Sequence, residues 1–378
     1  MNGKEKLHIL VMTATWQSGL ACIQSFGRRG HTLSILGNLM QHPNCASIFI
    51  KNYFWLSKNE THERAKELNE LIQRNKIDLA VPISDEDALV VAVAKELRPD
   101  SKAFVISPVE SVAVARSRNK TTELCNSLKI PSPRSIAVTR LNAASAANIV
   151  GYPCFLKLSG TAASQGVFNI FDEENLFLRL NQVPDDAELQ LQENISGDFV
   201  GITGYAEQGK LIESFAFKLD YEHSHGGTPP YSYEVNDAKL NATLSDIAKA
   251  LNWSGGIDID LLQDKNGNYF VLEINPRLSG TIIFPLKLGI DLPNCYITSK
   301  LGLTESPPIR PPPPKPRRFV SLTEETLYLR RIGAKGLQMP EEFRSDNLWT
   351  DNAFWDDWRY SAALFDYHRM MLLFPKKR

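Results

Sequence analysis

A change in the order of strands and helices divides the sequence into two parts. Over residues 1–110, short apolar segments alternate with segments of helical spacing, which predicts parallel strands covered by helices on both faces. Over residues 146–220, several short apolar strands follow one another, an order typical of an antiparallel sheet. The sequence therefore predicts an α/β domain followed by an α+β domain that extends over residues 111–305.

The first strand-to-helix turn argues against a nicotinamide cofactor. Its sequence, TATWQSGLA, lacks the GxGxxG spacing that lets a backbone approach a pyrophosphate. A role in binding a sugar or an amino acid, or a purely structural role, remains open for this domain.

Two segments follow the second domain. Residues 306–318 include the run PPIRPPPPKP, and proline-rich sequence of this kind favours an extended spacer, so we interpret it as a linker. Residues 319–378 are rich in aromatic side chains that need a surface to pack on. They are expected to form a small C-terminal extension, either a subdomain or a docking arm.

Charge and cysteine content limit the partners and the compartment. The formal net charge is -1, so no global basic excess would attract nucleic acid. The five cysteines are scattered and include no CxxC pair, which favours reduced thiols and a cytoplasmic location. No run reaches the roughly 18 apolar residues of a membrane span. We therefore expect neither a nucleic-acid partner nor a membrane partner.

A predicted hairpin around the turn signal Asn-Gly at residues 266–267 places charged side chains on one face. Asp260 lies on its first strand, and Glu273, Asn275 and Arg277 follow at two-residue spacing on the second, so they share a face. Carboxylate and amide oxygens are hard donors that select Mg²⁺ or Mn²⁺, which is typically shared with substrate phosphates. Arg277 adds a planar fork for oxyanions, and Asp258 is expected to support the face rather than to ligate metal.

Two lysines and a small-residue loop predict contacts to an anion. Lys157 ends an apolar strand and precedes a loop of small residues, whose backbone N–H groups can close over an anion. The Walker spacing GxxxxGK[ST] is absent, so the loop is not a P-loop. Lys120 opens a helix, where the helix dipole disfavours a cation unless an anion lies nearby.

Taken in chain order, these segments resemble the ATP-grasp superfamily of carboxylate–amine ligases over about residues 1–300. The resemblance is carried by the NK helix start with KIPSPRS, by Lys157 with its loop, by LQENISGDF, by Asp260 and by VLEINPRLSG. It implies a Rossmann-like pre-grasp domain, a two-lobed ATP-grasp domain, and the cofactors ATP and Mg²⁺ or Mn²⁺. Family members often form homodimers, so the resemblance leaves a homodimer open.

The resemblance also implies a role for each matching position. The nucleotide-binding residues that it implies are Lys120, Lys157, Ser159, Gly160, Ser164, Gly166, Gln192, Glu193, Ile195 and Asp198. The two lysines would contact the phosphates and the loop 159–166 would close over them. Gln192, the Glu193 carbonyl and the Ile195 amide would read the adenine, and Asp198 would contact the ribose. Asp260, Glu273 and Asn275 would hold the metal, while Arg277 and Lys157 would act in catalysis.

The activity implied is phosphoryl transfer from ATP to a small carboxylic acid, with an amino acid as one candidate, followed by attack of an amine and release of ADP and phosphate. His223 or His225, in a loop with Gly226 and Gly227, would be a base for the amine, and a polar surface loop is the alternative. Two other functions stay open. One is a ligase with a non-amine acceptor, and the other is a non-catalytic ATP-binding protein.

Overall fold

A computed structural model describes residues 6–37, 42–159, 166–220, 231–303, 316–321, 348–350 and 356–373. The first domain contains a four-stranded parallel sheet of strand order β3-β2-β1-β4. Its elements are β1 His8–Val11, α1 Gln17–Arg28, β2 Thr32–Leu36, the 3₁₀ helix Pro43–Ala46, β3 Ile50–Phe54, α2 Thr61–Asn75, β4 Leu79–Val81 and α3 Asp85–Leu97. The predicted alternating pattern is confirmed.

The apolar side chains of β1 explain the layering of this domain. Ile9 and Val11 lie in one core cluster with residues of α1, whereas Leu10 lies in another cluster with residues of α2 and α3. Because side chains alternate between the faces of a strand, helices cover both faces of the sheet. Next to β4, residues 103–106 contribute only one bridge, between Ala80 and Phe104. The chain then leaves the sheet, and Ser107 hydrogen-bonds Ser254.

Two helices connect this domain to a small antiparallel sheet of strand order β5-β8-β6-β7. The elements are α4 Val109–Arg116, α5 Arg118–Leu128, β5 Ser135–Val138, α6 Ala143–Val150, β6 Cys154–Leu158, β7 Val167–Ile170, α7 Glu173–Leu180 and β8 Leu189–Glu193. Residues of α6 and α7 pack on one face of the sheet. The other face is thereby left for polar residues of β6 and β8.

A seven-stranded sheet of order β13-β12-β9-β10-β11-β14-β15 forms the second lobe. Its elements and the helices around it are β9 Asp198–Glu207, β10 Lys210–Leu219, β11 Tyr231–Val235, α8 Ala238–Ala250, β12 Gly255–Gln263, β13 Tyr269–Asn275, α9 Ile283–Lys287, α10 Leu292–Lys300, β14 Arg318–Val320 and β15 Leu348–Thr350. The pairs are antiparallel except for β14 with β15. The last helix, α11 Trp358–Leu373, packs against the 3₁₀ helix of the first domain.

One hydrophobic cluster joins the first domain to the second lobe. Phe26 of α1 shares it with Phe215 of β10 and with Phe284 and Tyr296 of α9 and α10. Burial of such large aromatic side chains stabilises the contact strongly. Among the described residues, no helix combines the length and the apolar character that crossing a membrane requires.

Gly256 of β12 keeps this junction closely packed. A Cβ added there would lie 2.8 Å from Leu278 Cγ and 2.9 Å from the Leu278 backbone nitrogen. We predict that Gly256→Ala lowers the free energy of unfolding by about 1–3 kcal/mol through overpacking. Urea unfolding measures the change.

Gly280→Ala is the matched control for Gly256→Ala. A Cβ at Gly280 would meet nothing within 4 Å. We expect that variant to unfold like the parent protein. Equal stability of the two variants would contradict the packing assigned to Gly256.

Candidate active site

The β12–β13 hairpin places four polar side chains in two directly opposed pairs. Asp260 is opposite Glu273, and Asp258 is opposite Asn275. The alternate residues of β12, Ile257, Ile259 and Leu261, are buried in a core cluster. The polar side chains therefore share the other face, as their spacing predicts.

The two opposed carboxyl groups, Asp260 and Glu273, have very different proton affinities. Burial raises the pKa of Asp260 well above its usual range, and the nearby charges of Asp258 and Glu273 raise it further. Burial also acts to raise the pKa of Glu273, but the Arg118 guanidinium, a hydrogen bond from Asp260 and the Lys157 charge outweigh it and hold that pKa below its usual value. Without a cation, the pair thus favours a proton on Asp260 that is donated to Glu273.

This donor set fits a divalent cation. A Mg²⁺ or Mn²⁺ ion would replace the shared proton and balance two ionised carboxylates. Among the described residues, no group of three His, Cys, Asp or Glu side chains is arranged to hold a metal ion. Two carboxylates are nevertheless the usual protein share of a Mg²⁺ site completed by phosphates and water. The Asn275 amide nitrogen lies 3.3 Å from Asp258 Oδ2, so metal ligation by Asn275 would require its amide to turn and stays a prediction.

Arg277 follows β13 and lies between the first domain and the second lobe. Its Nε is 3.1 Å from Asp85 Oδ1 at the start of α3, and its Nη1 is 3.4 Å from Asp258 Oδ2. Its Nη2 donates to Asn275 Oδ1 at 3.3 Å, and its guanidinium carbon lies 5.6 Å from the centre of the Trp16 ring. Burial acts to lower the pKa of Arg277, but the charges of Asp85 and Asp258 outweigh it and raise that pKa, so the guanidinium stays charged.

Asp258 is a buried acid beside the metal-binding face. Burial is the main factor that raises the pKa of Asp258, to about 7, while Arg277 opposes the rise. Its Oδ2 faces Arg277 and Asn275, whereas its buried Oδ1 has no hydrogen-bond partner among the described residues. Its contacts are those of a residue that supports Arg277 and Asn275.

Lys157 projects from β6 onto the polar face of the small sheet. Its Nζ donates to Gln192 Oε1 of β8 at 2.5 Å, and the side chain is buried. Burial, with a contribution from the Arg118 charge, lowers the pKa of Lys157 to about 8. The structure thus brings Lys157 and Gln192 together, and their contacts to the nucleotide stay predictions.

Arg118 is the cation that α5 brings to the carboxylates, and the sequence reasoning missed it. Its Nη1 pairs with Glu273, and its Nε donates to the Leu158 carbonyl at 3.1 Å. Lys120 is exposed and lines a groove with Glu110 and Glu123 instead. The structure does not bring Lys120 to the cluster, and its phosphate role stays a prediction.

The loop after β6 is described only at its ends. At the first end, Ser159 Oγ accepts a hydrogen bond from the Arg118 amide at 3.0 Å. At the second end, Gly166 has a φ of +76°. Gly160 and Ser164 lie outside the described residues, as do His223 and His225. Their roles stay predictions.

The connector from β8 to β9 carries the predicted adenine and ribose contacts. The Glu193 carboxylate accepts from the Arg134 amide at 2.6 Å, and Asp198 is ion-paired with Lys218 at 2.6 Å. A Cβ at Gly197 would lie 2.5 Å from the Gln263 carbonyl oxygen, so the connector passes close to the end of β12. The connector, which includes Ile195, thus links the two sheets beside Gln192, and the nucleotide contacts stay predictions.

No protein-family model matches the chain. Its sequence is 26% identical over 233 residues to the carbamoyl phosphate synthase large chain of Archaeoglobus fulgidus, covering 55% of this chain and 20% of that protein. It is 30% identical over 235 residues to the same protein of Methanothrix thermoacetophila, covering 56% and 21%. The matched segment thus spans about a fifth of these curated relatives.

Solved structures share the fold over most of the chain. N5-carboxyaminoimidazole synthetase from Staphylococcus aureus, complexed with ADP, gives a TM-score of 0.66 at 16% identity and covers 84% of this chain and 83% of that one. L-amino acid ligase from Bacillus licheniformis gives 0.60 at 14%, covering 81% and 79%. The biotin carboxylase domain dimer of Hydrogenobacter thermophilus 2-oxoglutarate carboxylase, complexed with MgADP and bicarbonate, gives 0.65 at 13%, covering 79% and 70%.

The two cations of α5 provide a test of this site. We predict that Arg118→Met lowers the free energy of unfolding by about 2 kcal/mol, because Glu273 then loses its buried partner. Glu273 keeps 31% of its side-chain exposure, which limits the loss. Thermal and urea unfolding measure the effect.

Lys120→Met is the matched control, because it removes the same charge from the exposed face of α5. We expect no more than about 0.5 kcal/mol from it. A larger effect from Lys120→Met than from Arg118→Met would contradict the placement of Arg118.

Proposed function

Since the chain has the ATP-grasp fold, we propose that it is an ATP-dependent ligase that activates a small-molecule carboxylate. Phosphoryl transfer from ATP would give an acyl phosphate, and attack by an amine would release phosphate and leave ADP. The observation that carries the proposal is the opposition of Asp260 and Glu273, with Arg118, Lys157 and Arg277 around them. An amino acid is the proposed carboxylate class, supported by the likeness to an L-amino acid ligase.

Charge neutralisation is the main chemical requirement of this reaction. A carboxylate and a triphosphate repel each other, so cations must hold both before phosphoryl transfer. Mg²⁺ held by Asp260 and Glu273, with Asn275 as the proposed third ligand, would supply positive charge at the phosphates. Arg118 and Lys157 approach the same cluster from α5 and β6.

Arg277 is the proposed group for the oxygens of the transferring phosphoryl or acyl phosphate. Its ion pairs with Asp85 and Asp258 hold the guanidinium beside the hairpin, and its raised pKa keeps it charged. Preorganised charge of this kind lowers the barrier because it need not be reoriented during the reaction. Loop 159–166 is the proposed cover that excludes water from the acyl phosphate.

A cytoplasmic location and a homodimer complete the proposal. All five cysteines are buried and none forms a disulfide bond, which supports a reducing compartment. The biotin carboxylase domain that shares the fold is described as a dimer, which supports the homodimer.

A screen of carboxylic acid and amine pairs with MgATP tests the activity. We expect ADP and phosphate release that requires both substrates and the metal. With an ¹⁸O-labelled carboxylate, one label should appear in the phosphate, because the carboxylate oxygen attacks the γ-phosphorus. Formation of AMP and pyrophosphate would contradict the scheme. Nucleotide binding without turnover over the whole panel would favour a non-catalytic protein.

Removal of one metal-binding carboxylate tests the site. We predict that Glu273→Gln lowers turnover at least about 100-fold while the fold survives, since one Mg²⁺ ligand is lost. Asp264→Asn is the matched control, because Asp264 lies in the turn of the same hairpin and Asn can keep its turn hydrogen bonds. Near-normal turnover by Glu273→Gln would refute the metal assignment.

The lowered pKa of Lys157, about 8, predicts a pH dependence of nucleotide binding. Lys157 loses its proton as the pH rises through 8, and the phosphates then lose one cationic partner. We predict that the affinity for MgADP falls about tenfold between pH 7 and pH 9.5. Calorimetric titration at several pH values measures it.

Lys157→Met separates this lysine from other titrating groups. We expect weaker MgADP binding at pH 7 with little further change up to pH 9.5. A variant that keeps the full pH dependence of the parent protein would show that another group causes it.

A further inference from the structure

The C-terminal helix is anchored to the first domain by a buried carboxylate. Asp357, which precedes α11, is fully buried. Its Oδ2 accepts from Gln24 Nε2 at 2.7 Å and from Ser47 Oγ, and its Oδ1 accepts from the Ile48 amide at 3.0 Å. A buried carboxylate surrounded by donors fixes its neighbours firmly, because each donor would otherwise lose its partner.

The anchored segment of the first domain directly follows the 3₁₀ helix Pro43–Ala46. Within this helix, Asn44 is buried, and its Nδ2 lies 3.1, 3.1 and 3.0 Å from the carbonyl oxygens of Ala14, Thr15 and Trp16. One amide group therefore contacts three successive carbonyls at the end of the turn between β1 and α1. The position of that turn depends on the 3₁₀ helix, which α11 covers.

The same turn presents Trp16 to Arg277. The indole ring lies 5.6 Å from the guanidinium carbon. A guanidinium over an indole face is attracted by the ring quadrupole, and the flat ring also restricts the guanidinium plane. Asp85 and Asp258 hold the edge of the same guanidinium.

We propose that Trp16 is a positioning residue for Arg277 and that the C-terminal extension, through Asp357 and Asn44, sets the position of Trp16. The inference rests on the proposed role of Arg277 toward the transferring phosphoryl group. The C-terminal extension then influences the active site by setting the position of Trp16, a contribution that neither the hairpin nor the nucleotide connector makes.

The gain in affinity from MgADP to MgATPγS, measured by calorimetry, tests the role of Trp16. Trp16→Leu should reduce this gain about three- to tenfold, because the ring no longer orients Arg277. Trp16→Phe should keep most of the gain, since it retains an aromatic face. Affinity for MgADP should stay unchanged in both, which a merely destabilised protein would not show. A full gain in Trp16→Leu would overturn the proposal.

Arg277→Lys separates this inference from the proposed function. If Arg277→Lys loses the gain and Trp16→Leu keeps it, only the positioning role fails. If Arg277→Lys keeps the gain, the role of Arg277 fails, and the inference fails with it.

Hydrogen exchange tests the contribution of the C-terminal extension. Asp357→Asn should speed amide exchange in residues 13–18 and 42–48 and should reduce the MgATPγS gain as Trp16→Leu does. Asp356→Asn is the matched control, because Asp356 is the neighbouring carboxylate and pairs with Arg28 at the end of α1. Unchanged exchange in Asp357→Asn, or equal effects from the two variants, would overturn this part of the proposal. If Asp357→Asn does not fold, Ser47→Ala, which removes one donor to the Asp357 carboxylate, makes the same test with the same expected and contradicting results.

Discussion

The opposition of Asp260 and Glu273 across one hairpin is the constraint on which the rest of the site depends. Two partly buried carboxyl groups directly opposite each other cannot both ionise unless positive charge is supplied. Three segments supply it, since Arg118 comes from α5, Lys157 from β6 and Arg277 from the end of β13. Charged residues of both lobes thus meet around this pair, and a divalent cation would complete the neutralisation of its charge.

The first domain contributes to this group of charged residues instead of serving only as a support. Asp85 and Trp16 both follow strands of its parallel sheet, at the carboxyl edge where ligands of such sheets bind. Both contact Arg277, and the C-terminal helix braces the turn that carries Trp16. The geometry of one arginine therefore depends on three parts of the chain that are distant in sequence.

Local sequence rules predicted the hairpin well, but they could not predict the long-range contacts. Alternation and the Asn-Gly turn were enough to place Asp260 and Glu273 on one face, because strand geometry has a fixed period of two. The sequence alone could not show whether Arg118 or Lys120 reaches the carboxylates, since that depends on which face of α5 meets β13 and β8. The Ser117 cap fixes where α5 begins. That cap, combined with the helical period, was the sequence signal that could have indicated the position of Arg118. The approach of Asp85, Trp16 and Asp357 to their partners depends on the assembled fold.

Calorimetric titration with ADP in the presence and absence of Mg²⁺ tests the central claim most directly. If Asp260 and Glu273 form the metal-binding face beside the nucleotide phosphates, Mg²⁺ should tighten ADP binding by at least about tenfold, or 1.4 kcal/mol. The same protein with Glu273→Gln should lose most of that gain. Binding of ADP that is equally strong with and without Mg²⁺, or a gain that survives Glu273→Gln, would contradict the account.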